Sequence, residues 1–112
     1  MIQIRIHNNT YNIYFVEKHN KNLLIDEEIK CGITDYINKS IYIRNDLNRD
    51  TFKYTLFHEI VHAYIDSYGL LQVEWNDEIV ADFVANNIIN IFLIANKIYE
   101  IYRKKKLWII KK

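Results

Sequence analysis

The chain has 112 residues, 50% of them hydrophobic and 14% aromatic, which suits one small domain able to build its own core. A single cysteine rules out an intrachain disulfide framework and fits a reducing compartment. The net charge of +1 hides an asymmetry: residues 97–112 carry a local +6, which leaves −5 on residues 1–96.

The first elements read as strands. Residues 2–7 alternate apolar with polar side chains, residues 10–16 are rich in Ile, Tyr, Phe and Val, and Asn8-Asn9 between them is a turn-forming pair, so a hairpin is expected. That alternating start lacks the unbroken apolar core of a signal peptide. Leu23 to Ile29 allows a short helix or a short strand. Gly32 to Ile43 gives two extended pieces around Ile37-Asn38-Lys39, a second hairpin whose last strand leads into a helix.

That helix is expected to start near Asn48 to Asp50, where Asn and Asp offer caps, and to bury Phe52, Leu56, Ile60 and Tyr64 at helical spacing. Gly69, about two turns beyond His62, is a natural left-handed stop. After a connection over residues 70–76, Asn76 or Asp77 caps a second helix running from about Asp77 toward Tyr102, apolar around much of its girth. Its most apolar stretch, Ile88 to Ala95, is interrupted by Asn90 and falls short of the ~20 apolar residues of a membrane span. A cytoplasmic protein with no membrane partner is expected. The fold class is α+β: a small antiparallel sheet of N-terminal hairpins packed on two helices, one domain over 1–112.

Within the first helix stands His58-Glu59-Ile60-Val61-His62. Imidazoles four residues apart on a helix are rotated by only about 40° from each other, so both can face one zinc ion with the intervening Glu beside the open position. A bland alternative is a pair of solvated or satisfied histidines. His7 and His19 do not enter this site, and Tyr64, Tyr68 and His7 are weak candidates for an oxyanion group.

The order of a hairpin, Gly-Ile-Thr-Asp with a following Ile-Tyr-Ile strand, Thr55-Leu56-Phe57-His58-Glu59-Ile60-Val61-His62, then Glu78-Ile79-Val80-Ala81-Asp82-Phe83-Val84-Ala85 resembles the ImmA/IrrE-type metallopeptidases, and more broadly the minimal gluzincins. The likeness covers roughly residues 30 to 90. Asp82 stands where that family usually has Asn, Val84 where it has Phe, and Val61 where it tends to have Gly. The resemblance implies one Zn2+ held by His58, His62 and Glu78, with Glu59 as general base and acid and Asp82 orienting a zinc histidine. Glu74, Asp77 and Asp82 rival Glu78 as third ligand, since a Glu in a first helical turn is favoured by the dipole alone. The substrate would be a protein or peptide, added along the strand Ser40 to Arg44 through Ile41, Tyr42 and Ile43, an edge strand in that family.

Two further readings concern other parts of the chain. Peptide deformylases share the motif with a cysteine ligand, but Cys31 lies in no matching segment and reads as a small apolar strand residue. The basic and apolar segment 103–112 admits three readings: a solvated basic helix end favoured by the dipole, a segment that folds across the cleft or pairs with a sheet edge and holds the peptidase latent, or a part that makes the chain a non-catalytic binding module for nucleic acid or a protein partner. No nucleic-acid-binding motif is visible.

Overall fold

The computed structural model describes the backbone of residues 1–111 and side chains through Lys105; the expectations for segment 103–112 therefore rest mostly on side chains outside the described residues. The chain is α+β. Strands β1 (Ile2–Ile6), β2 (Asn9–Val16), β3 (Leu24–Ile25), β4 (Glu28–Ile29), β5 (Gly32–Asp35) and β6 (Ser40–Arg44) precede helices α1 (Arg49–Ser67) and α2 (Asp77–Lys111). Both expected hairpins form, and the ambiguous stretch resolves into a 3-10 turn at Lys21–Leu23 followed by the small β3–β4 hairpin. Asp26 and Glu27 both take positive φ there, the geometry of a turn whose twist suits paired strands.

The main sheet has the order β1-β2-β6-β5, with β2 and β6 parallel and both outer pairs antiparallel. The expectation of an antiparallel sheet is thus corrected at its centre: β3, β4 and β5 lie in the connection between β2 and β6, so β6 returns parallel to β2. One consequence concerns Ile41, Tyr42 and Ile43. β6 is bonded on both sides and Ile41 and Ile43 are fully buried, so these residues offer no open edge; the strand on that side of the sheet with a free edge is β5.

Strand periodicity of two aims Tyr11, Ile13, Ile41 and Ile43 at α1, where they meet Phe52, Leu56, Ile60, Ala63 and Tyr64. Asn48 caps α1 by accepting from the Thr51 amide at 2.9 Å. The helix ends on Gly69 at φ 71, with the Gly69 amide donating to the Asp66 carbonyl and the Leu70 amide to the Ile65 carbonyl, as the glycine predicted. Asn76 then caps α2 through the Ile79 amide at 3.0 Å.

The helices run antiparallel. Phe52 near the start of α1 stacks on Tyr102, 4.5 Å between centroids, while Tyr68 at its end shares a groove with Ile79, Asp82 and Phe83. The stretch Asp77–Lys105 is, by length and composition, long and apolar enough to cross a membrane. Phe83, Ile91, Ala95 and Ile98 are buried in the core, whereas Ile89, Phe92 and Leu93 face outward.

Asp66 ties the far end of α1 to the sheet. Its carboxylate accepts from the buried Tyr11 hydroxyl and from Lys39 Nζ at 2.6 Å. Burial, with the Asp66 carboxylate second, pushes the Tyr11 phenol well above its ordinary value of 10.0. The folded chain therefore keeps this proton where the unfolded chain releases it. Stability from Tyr11 is full below pH 10 and should fall by about 1.4 kcal/mol per pH unit above it. Denaturant midpoints measured between pH 9 and 11 are expected to drop, with a shallower slope for Tyr11→Phe; equal slopes would contradict this.

Candidate metal centre

Three elements meet at the motif: α1 carries it, β5 lies along one side, and α2 packs on the other. The side chains of His58 and His62 converge, with Nε2 of each ring 3.1 Å from Nε2 of the other and the ring planes at 72°. Two nitrogens bound to one tetrahedral zinc at 2.0–2.1 Å would stand ~3.3 Å apart, so the pair fits a shared ion without rearrangement. His58 is exposed and lies against the Tyr54 ring; His62 is half-buried.

Glu59 points under β5 and is only 6% exposed. Its Oε1 accepts from the Thr34 hydroxyl at 2.8 Å, and that same hydroxyl lies 3.1 Å from the Glu59 carbonyl oxygen. The Tyr36 hydroxyl lies 3.1 Å from Nδ1 of His62, the ring atom turned away from His58. Burial first, then the Asp66 and Glu59 carboxylates, raise the Tyr36 phenol, which stays neutral.

β5 can come this close because of Gly32. A Cβ there would stand 2.6 Å from Thr55 Cγ2, 3.0 Å from Glu59 Cγ and 3.2 Å from Ile43 Cδ1. Thr55 is β-branched and stiff in its helix, so the strand would have to lift. Gly32→Ala is expected to cost about 1–3 kcal/mol by overpacking, read as a lower denaturant midpoint; a wild-type midpoint would show that the strand adapts freely.

The carboxylates expected on α2 stand apart from this group. Glu78 and Asp82 are exposed in the first turns of the helix, and Asp82 lines the groove with Tyr68, Ile79 and Phe83 rather than approaching a histidine. The register explains why. Phe57 shares a groove with Phe92 and Asn96, and Tyr68 one with Asp82 and Phe83. His62 is therefore level with roughly residue 88, and at 1.5 Å per residue Glu78 lies about 15 Å further along the axis. Among the described residues no group of three His, Cys, Asp or Glu is placed to hold a metal, so the chain presents two fitting ligands and not a closed set.

Thr34 and Tyr36 were not among the expected site residues. Their signal is present in Gly32-Ile33-Thr34-Asp35-Tyr36: alternation along a strand puts Gly32, Thr34 and Tyr36 on one side, the side that meets α1. No family model matches the chain, and no curated protein or solved structure gives a match.

Proposed function

We propose that this chain is a zinc-dependent metallopeptidase of the minimal gluzincin kind, acting on a protein or peptide in the cytoplasm. The observation that carries the reading is the convergence of the His58 and His62 Nε2 atoms to 3.1 Å beside the buried Glu59. His58 and His62 would hold the ion, which when bound supplies Lewis acidity.

Every other part of the reaction falls to the chain's own groups. Glu59 takes the proton from the attacking water and returns it to the leaving amine. Thr34 holds that carboxylate in one rotamer by donating to Oε1. The substrate backbone adds to the free edge of β5, beside a groove of about 380 Å³ lined by Leu24, Ile25, Ile33, Tyr36 and Tyr42 among others, where its apolar side chains would sit.

Metal analysis of the purified protein tests this. One zinc per chain, removable by a chelator and absent from His58→Ala, is the expected result; a wild-type chain that takes up no zinc would remove the proposal. Glu78 joins the ligands only if the first turns of α2 come over toward the histidines. Glu78→Gln is then expected to weaken zinc binding by more than the roughly tenfold typical of losing a supporting partner. Unchanged affinity would strike Glu78 from the set.

A further inference from the structure

We infer that the outer face of α2 pairs with the same face of a second copy of this chain, the two helices running antiparallel. The inference needs no metal and is independent of the reading above. A helix apolar around much of its girth must be covered on more than one side. The body of the chain covers one side, where Phe83, Ile91, Ala95 and Ile98 enter the core, and only 17% of the most apolar window of the helix is buried.

On the side turned away, Ile89, Phe92 and Leu93 are 69%, 55% and 59% exposed, and Ala85 and Ala81 lie exposed on the two turns before Ile89. With 3.6 residues per turn these five share an arc of about 120°, roughly opposite Ile91 and Ile98. A single exposed Leu is ordinary, but a contiguous apolar face bordered by polar residues, here Asn86 and Asn90, marks a contact surface.

The charges at the two ends of this face choose the occupant. Glu78 and Asp82 stand at its start, and Lys97, Arg103 and Lys104 at its end. Two copies side by side in parallel would set like charge against like, which costs free energy and selects against that arrangement. Turned end for end about a two-fold axis near Ile91, they set Glu78 level with Lys104 of the second copy and Ile89 level with Leu93, and the same patch serves both partners. Asp82 then comes level with Glu100, whose charge is already met by Arg103 at 2.8 Å. The acidic start also sets the face against an anionic membrane surface, and the residues already buried in the core keep α2 from leaving the body to span a bilayer.

The test uses the full chain in the presence of a chelator, so that pairing through a shared zinc plays no part. Sedimentation equilibrium from about 1 to about 100 μM is expected to give twice the 13.6 kDa of one chain at the upper end. Leu93→Glu and Ile89→Glu, made separately at exposed positions, are each expected to weaken the pair at least about tenfold, with an unchanged far-UV circular dichroism spectrum showing that the fold persists. Spin labels on Glu100→Cys in a Cys31→Ser background read the orientation: about 27 Å between copies along the helix axis for the antiparallel pair, at ~1.5 Å per residue, against about 10 Å for a parallel one. A wild type that stays monomeric, a dimer that both substitutions leave intact, or the short label distance would overturn the inference. So would a monomer that sediments with vesicles of phosphatidylcholine and phosphatidylglycerol, which would make the face a membrane contact.

Discussion

Glu59→Gln is expected to abolish peptide hydrolysis, by about 10²–10⁴-fold for a lost general base, while retaining the zinc content of the wild type. The substitution is close to isosteric. The amide keeps an oxygen to accept from Thr34, so the buried side chain, 6% exposed, keeps its partner and the helix its packing. The nitrogen cannot take up a proton from water. His62→Ala is expected to lose both zinc and hydrolysis, because it removes one of the two convergent Nε2 atoms. Cleavage of a casein or peptide substrate, followed alongside metal analysis of the three proteins, separates the effects. Full hydrolysis by Glu59→Gln would exclude Glu59 as the proton carrier, and zinc retained by His62→Ala would place the ion elsewhere.

The second large effect concerns the fold itself. Ile60 sits between Glu59 and Val61 in the motif but points inward and is fully buried among Ile41, Ile43, Leu56 and their neighbours. Ile60→Ala removes three carbons from the layer between α1 and the sheet and should cost about 2–5 kcal/mol. For a domain of this size that corresponds to a fall in thermal midpoint of at least about 8 °C. At temperatures where the variant remains folded, its zinc affinity should be that of the wild type. A change below 1 kcal/mol would mean that the core closes over the gap.

Local features of the chain were legible because their causes are local. The alternation in 2–7 and 10–16, the Asn48 and Asn76 caps and the Gly69 stop each depend on a few neighbouring residues, and each element ends within a residue or two of its signal. The same holds for the histidine pair, whose meeting follows from helical spacing alone. Strand order did not follow in this way. Alternating Ile and Tyr in β6 suit a central position as well as an edge, and only the route of the β2–β6 connection puts Ile41, Tyr42 and Ile43 inside the sheet. The placement of Glu78 failed to follow for a related reason. Spacing on one helix cannot state the height at which a second helix packs, and here the stacking of Phe52 on Tyr102 belongs to that packing.

The clamp at Asp66 has a consequence for how the chain reaches this state. It joins residues 55 and 27 positions apart in sequence, and the parallel pairing of Asn12 with Ser40 likewise spans a long loop. Hairpins and helical turns can form early from near neighbours, but these distant closures must wait for loop entropy to be overcome. Refolding should therefore be limited by the arrival of β6 beside β2, with the Tyr11 hydroxyl among the last groups to find its acceptor.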